Sequence, residues 1–212
     1  MRCLVHACCG PCALESTRAL AEEGRDIALV YDNPNIQPEE EYLHRLDVLK
    51  SFVAKPNGYA LFEGTYDSDT WEREVGVYGR DRQNRCRACY RLRLTRSAEL
   101  AAAEGFEALS TTLTISPYQF TDVVLEELRD AAEGQGLTAL DMDFSGLYAQ
   151  TTKKSRELGM YRQNYCGCRF SVDEAEEERA AAREARKRES DVRHRALVWM
   201  SAQGCVNQTS QL

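Results

Sequence analysis

Seven of the nine cysteines fall into three groups whose spacing suits sulfur chemistry. Cys8, Cys9 and Cys12 lie together in HACCGPCALE, Cys86 and Cys89 in NRCRACYRL, and Cys166 and Cys168 in NYCGCRF. Cys9 to Cys12 spell C-G-P-C, the letters of the thioredoxin dithiol motif, but Cys8 adds a third thiol directly in front. A thiol at the start of a helix is pushed toward thiolate, the form that binds metal. Two groups of CxxC type, far apart in sequence, therefore point to a site where four thiolates converge. Zinc and an iron–sulfur cluster both accept such a set, and the spacing does not choose between them. The C-G-C pair is different. One intervening residue is short for chelating a single tetrahedral ion, and the glycine permits the tight backbone of a vicinal pair that cycles between dithiol and disulfide. Cys3 and Cys205 stand alone and read as buried apolar fillers.

These thiols sit in a chain of 212 residues, 43% hydrophobic, with a formal net charge of −7. That length supports one sizeable core with an appendage. No apolar run approaches the length of a membrane span, and MRCLVHACC turns polar and cysteine-rich too early for a signal peptide. A cytoplasmic setting is expected. In that reducing compartment the cysteines are metal ligands, catalytic thiols or core residues rather than a disulfide framework.

The elements that must position the thiols alternate. RCLVHA reads as a strand, followed by a helix over ALESTRALAEEG that closes at Gly24. DIALVYDNPN is a buried strand ending in turn residues. Pro38 opens a helix with Glu39, Glu40 and Glu41 at its positive end and a stripe of Tyr42, Leu43, Leu46, Leu49 and Val53. Pro56-Asn57-Gly58 breaks it, and YALFE is the third strand. A loop-rich stretch leads to Cys86, where a helix starts and runs to about Glu104. FEALSTTL is the fourth strand, Phe120 to Leu128 marks another helix, and LTALDMD is the fifth strand. The alternation implies a doubly wound α/β fold with a parallel sheet of about five strands. We place this domain at residues 1–144. A C-terminal segment, 145–212, packed on the first part as one functional unit, carries the C-G-C loop, then a charged helix capped by Ser171 and Glu174 with acidic residues first and basic residues last, and a frayed tail. The charge order complements the helix dipole. In an open sheet of this kind ligands bind at the carboxyl ends of the strands, where Cys8, Cys9 and Cys12 lie.

Charge suggests a partner. Seven arginines stand between Arg80 and Arg96 around the second cysteine group, and Lys153, Lys154, Arg156, Arg162 and Arg169 flank the C-G-C pair. In an acidic chain this favours an anionic substrate such as a nucleic acid, with Arg85 and Arg87 the best candidates for phosphate contact. Tyr90, Tyr161 and Tyr165 could stack on unpaired bases or fill the core.

LVHACCGPCA, DNPNIQPEEEYLHRL, RCRACYRLRL, TTLTISPY and LGMYRQNYCGC together resemble the QueH-type, cobalamin-independent epoxyqueuosine reductases over roughly residues 1–172. The resemblance implies a Rossmann-like fold of the HUP type and a [4Fe–4S] cluster on Cys8, Cys9, Cys86 and Cys89. It implies a redox pair at Cys166 and Cys168. A second, mononuclear iron is associated with the family; Cys12 is the nearest unassigned thiol and Asp32 a weaker candidate. The implied reaction is reduction of epoxyqueuosine to queuosine at the wobble position of tRNA, the last step of queuosine formation, with electrons from an unidentified donor. Tyr165 and His6 lie near candidate thiols as possible proton donors, although a strand-end histidine is more often a packed residue. Two rival classes remain: a cluster-dependent tRNA-thiolating enzyme, and a zinc-held RNA-binding module. The first needs a phosphate loop, and the CCGPC turn lacks one because proline removes an amide donor. The second leaves the C-G-C pair without purpose.

Overall fold

The computed structural model describes residues 1–206, with side chains through residue 196. The chain divides into a first unit, Met1–Arg169, and a second from Phe170 onward. In the first unit β1 (Arg2–His6) leads into α1 (Gly10–Glu22), β2 (Asp26–Tyr31) into α2 (Glu39–Leu49), and a π-helical stretch (Lys50–Ala54) into the short α3 (Lys55–Asn57). β3 (Ala60–Glu63), α4 (Ser68–Glu74), α5 (Arg82–Ala103), β4 (Ala108–Thr111), α6 (Thr121–Gly134), β5 (Thr138–Ala139) and α7 (Tyr148–Glu157) follow. The five strands are all parallel, in the order β3-β2-β1-β4-β5.

Both sheet faces are covered, which is why the central strands are apolar at successive positions rather than at alternate ones. Cys3, Val5, Leu29 and Tyr31 point into one core with Leu14, Leu20, Leu46 and Leu49. Leu4, Ala28, Val30 and Leu109 point into the other with Leu94, Ala98, Val124 and Leu128. Cys3 is fully buried, and burial pushes its thiol up to about 12, as suits a core residue. The order of strands reverses between β1 and β4, so the crevice at their carboxyl ends is the place where such folds take ligands.

Several expectations shift in the structure. The helix ends within Pro56-Asn57-Gly58 as expected, at Gly58 and not at Pro56 itself. The π stretch Lys50–Ala54 runs directly into α3, which holds Pro56, and Gly58 ends the helix with φ +67. Of the expected stripe, Tyr42, Leu46, Leu49 and Val53 are buried; Leu43 is exposed because it lies about 100° around the helix from Tyr42. The loop before Cys86 contains α4 and a 3-10 turn, Gly76–Tyr78. α5 begins at Arg82 under an Asp81 cap, so Cys86 and Cys89 sit in its second turn rather than at its first. The helix dipole, strong only in the first turn, does little for them there.

α7 packs on α1 through a hydrogen bond from Thr151 Oγ1 to the Pro11 carbonyl at 3.0 Å, so the segment carrying the C-G-C pair belongs to the first unit. α8 (Arg169–Val206) starts two residues before Ser171, which places the expected capping box inside the helix. No acidic residue lies in its first turn and no basic residue in its last. Its charge order is therefore not dipole compensation; exposed pairs one turn apart, Arg188–Glu184 and Arg193–Glu189, use part of it. The frayed tail was expected over Gly204–Leu212, of which 207–212 lie outside the described residues, as does the side chain of Cys205. Among the described residues no helix is long and apolar enough to cross a membrane.

Candidate thiol and metal centre

Cys8 and Cys9 follow the end of β1, and Cys12 lies with Pro11 in the first turn of α1. A chain that must turn from a buried strand into a helix within three residues folds these side chains back on one another. The three sulfurs lie within 4.8 Å of one another, a group that could bind a metal ion. Gln163 donates to Cys9 Sγ at 2.8 Å and Thr112 Oγ1 donates to Cys8 Sγ at 3.4 Å, while the Cys8 amide donates back to Thr112 Oγ1 at 3.1 Å. β4 thus holds the sulfur that β1 delivers. Hydrogen bonds from Cys12 and Cys8, with that of Gln163, drive the Cys9 thiol well below its usual range; Cys12, as the donor to both neighbours, is held well above. Deprotonation is therefore easiest at Cys9, and a soft cation entering the group would displace protons from the sulfurs it binds.

Cys86 and Cys89 are not members of that close group. They project from α5 beside the C-G-C loop. Burial pushes the Cys86 thiol up to about 12, with the sulfurs of Cys166, Cys89 and Cys168 adding to the effect. Cys89 is buried and likewise raised by burial; its sulfur accepts from the Trp71 indole at 3.4 Å and faces the Arg93 guanidinium at 4.0 Å. Arg93 is itself buried and always charged. Its other contacts are the neutral amide of Asn33 and an unpartnered Nε, and the nearby carboxylate of Asp32 is held by Arg96 at 2.9 Å. A buried guanidinium without its own carboxylate calls for negative charge on the sulfurs around it. Thiolate donors and an uncompensated buried cation together fit an anionic metal–sulfur group.

The C-G-C loop is pinned from beneath. Gly167 has φ +139, and a Cβ there would stand 2.9 Å from Ile36, so this position requires glycine twice over. Its carbonyl accepts from the Gln37 amide at 3.0 Å, and the Cys166 carbonyl accepts from Arg45 at 2.8 Å. Arg45, buried and paired with Glu41, also lies 4.8 Å from the centre of the Tyr165 ring. The result is an exposed Cys166 thiol beside a buried Cys168. Cys166 is a free thiol in this structure, as are Cys8, Cys9, Cys12, Cys86 and Cys89.

The arginines are placed otherwise than expected. Arg85 is 1% exposed and donates to the Gly79 carbonyl. Arg87 and Arg91 grip the buried Glu127 of α6, and Arg87 also pairs with Glu126. Arg96 bridges Asp32 and Asp67. Arg85 is thus buried away from any polyanion, whereas Arg87 is part-exposed and already engaged by two carboxylates; both have packing partners within the protein. Tyr90 is buried, which removes it as a stacking surface; Tyr161 packs edge-on against His44, and Tyr165 donates to the Gln37 carbonyl. His6 is fully buried, bonded through Nδ1 to Thr111 Oγ1 at 3.0 Å, and burial lowers it to about 3. It is a neutral packed residue and not a proton donor. The reading of the sequence missed Trp71 and Arg93 around Cys89, and Gln119, whose amide reaches Cys166 Sγ at 3.7 Å.

Comparison with known proteins gives one consistent result. The family model described as epoxyqueuosine reductase QueH matches residues 3–174. Curated relatives of that name include one from Thermotoga maritima, 33% identical over 84% of this chain and 93% of its own length. Another, from Dehalococcoides mccartyi, is 30% identical over 79% of this chain and 91% of its own, and one from Acinetobacter baylyi is 31% identical over 80% and 79%.

Proposed function

The chain belongs to the epoxyqueuosine reductase QueH family, and on that footing we propose that it reduces epoxyqueuosine to queuosine at the wobble position of tRNA. The observation that carries the reading is the meeting of Cys8, Cys9 and Cys12 at the point where the strand order reverses. The net change is a two-electron deoxygenation: the epoxide takes up two electrons and two protons, both C–O bonds break, a carbon–carbon double bond forms, and the oxygen leaves as water. Oxidising the Cys166 and Cys168 thiols to a disulfide releases two electrons and two protons, the amounts the reaction consumes. An outside reductant must then restore the pair.

The donor set and the buried Arg93 support a [4Fe–4S] cluster on Cys8, Cys9, Cys86 and Cys89, with a second iron at Cys12, and such a centre supplies one-electron transfer and a Lewis acid for the epoxide oxygen. In a cluster each iron takes its own terminal thiolate, so the four sulfurs need not lie at single-ion distance. Around them Gln163 and Thr112 orient Cys9 and Cys8, Trp71 and Arg93 hold negative charge on Cys89, and Arg45 fixes the backbone that presents Cys166 to substrate.

The test is anaerobic purification followed by iron and sulfide assay, and nucleoside analysis of epoxyqueuosine-containing tRNA after incubation with a chemical reductant. Iron, sulfide and appearance of queuosine are expected. Colourless protein carrying zinc alone and leaving the epoxide intact would overturn the reading.

A further inference from the structure

Cys166 is the exposed thiol of the described centre, so substrate has to reach it from the solvent side. The segment that borders this approach is the loop after β4, Ser116 to Phe120, which the reaction described above does not use. It is a fixed surface. The Gln119 amide donates to the Ser116 carbonyl at 3.1 Å, and the Tyr118 amide to Ser116 Oγ at 3.4 Å. The buried Tyr90 hydroxyl accepts from the Phe120 amide at 3.4 Å, so its own proton goes to Gln119 Oε1 at 2.8 Å. That bond fixes the sense of the Gln119 side chain: its oxygen faces the core and its NH2 group faces outward, 3.7 Å from Cys166 Sγ. Of the two N–H bonds of that group, the sulfur takes at most one.

On either side of Gln119 two rings are left in water. Tyr118 is 61% exposed and Phe120 36% exposed. The edge of Tyr148 props Tyr118 with ring centres 6.4 Å apart, and the Arg82 guanidinium stands 5.7 Å from the centre of Phe120. Exposed rings, a cation and an oriented amide donor beside a reactive thiol are the parts that hold unpaired bases: the rings take the π-faces and the donor takes an oxygen.

We propose that Tyr118, Gln119 and Phe120 form the substrate-docking surface of the thiol centre: the two rings stack on unpaired bases of the RNA, and the Gln119 side-chain amide donates to an oxygen of the modified part of the nucleoside, which guanine lacks, as it is brought to Cys166. The proposal rests on the reading of the substrate as tRNA. It replaces the arginine run as the surface that holds the anticodon, and it makes Gln119 a specificity residue, because an isosteric carboxylate would repel the oxygen that the amide attracts.

The experiment uses two synthetic anticodon stem–loop RNAs, one with epoxyqueuosine at the wobble position and one with guanine, and follows Kd by fluorescence anisotropy with iron content measured alongside. Tyr118→Ala should weaken binding of both RNAs about five- to 150-fold, the range for loss of one stacked base, with Tyr118→Phe recovering most of the loss. Gln119→Glu should abolish the preference for the modified RNA and raise KM for its reduction, while the guanine RNA binds as before. Wild-type affinities in Tyr118→Ala, or an undiminished preference in Gln119→Glu, overturn the assignment; loss of iron in either variant does so too, since the loop would then serve the metal and not the RNA. If the native chain binds neither RNA, the tRNA reading itself has failed, whatever the variants do.

Discussion

The indole N–H of Trp71 donates to the sulfur of Cys89 at 3.4 Å, and the same sulfur faces the buried guanidinium of Arg93. α4 and α5 thus converge on one thiol with two donors. Donors aimed at a ligand sulfur stabilise the more negative, reduced state of a metal–sulfur group and raise its reduction potential. Trp71→Phe keeps the ring and removes one donor. It should lower the midpoint potential by an amount on the order of tens of millivolts, with iron content unchanged. A spectroelectrochemical titration of the anaerobic protein measures this. Arg93→Lys, which keeps the charge, should shift the potential less than Arg93→Gln.

Loss of a soft ligand should be visible in the metal itself. Cys9→Ser removes the sulfur toward which Gln163 and Cys8 donate, and Cys89→Ser removes the sulfur that Trp71 and Arg93 face. A hydroxyl is a poor substitute for thiolate, so each variant should bind substantially less iron and lose activity. Full iron occupancy in Cys89→Ser would remove α5 from the ligand set and leave the metal to the Cys8, Cys9 and Cys12 group alone.

Much of this was legible in the sequence, for physical reasons that also mark where legibility stops. Strands buried on both faces, such as LVHA and IALVY, announce a parallel sheet, and the grouping of cysteines marks its active edge. The arginines misled because a run of charge does not show its partners. Arg87 and Arg91 find Glu127 on α6, about forty residues away, and only packing of the two helices reveals that pair. Pro56-Asn57-Gly58 marked a true stop, because Gly58 takes the left-handed conformation that ends the helix. The loop from Ser116 to Phe120 carries a readable signal: in S-P-Y-Q-F two aromatic rings stand in turn sequence ahead of α6.

Separating electron supply from metal binding gives a further expectation. Cys166 lies exposed on a loop held by Arg45 and Gln37, and Cys168 lies buried two residues on. Cys166→Ser and Cys168→Ser should keep the visible absorbance of the iron–sulfur group and lose multiple turnover, because a single remaining thiol cannot close the disulfide that returns two electrons. If either variant loses the absorbance outright, that cysteine is a metal ligand and the redox assignment fails.

The thiol-bearing turn also depends on a buried acid. Glu15 on α1 is fully buried, accepts from Arg18 Nε at 2.6 Å and from Lys154 of α7 at 3.0 Å. Burial alone would raise its carboxyl, but the two cations outweigh it and the net shift is downward. A carboxyl whose folded pKa lies below its unfolded value stabilises the fold above the unfolded value, near 4.5, and that stability is lost as pH falls through the folded value. Glu15→Gln keeps the shape and removes the charge. With both cations partly exposed, the cost at neutral pH should be about 1–2 kcal/mol, well below that of breaking a fully buried pair. The difference between wild type and variant, read as Tm in thermal unfolding, should be constant from pH 8 to about pH 5 and then shrink as wild-type Glu15 protonates. A gap that persists unchanged into the acid range would show that Glu15 acts through packing and not through its charge. The same measurement bears on the site, because Pro11 and Cys12 ride on the helix that this pair ties to α7.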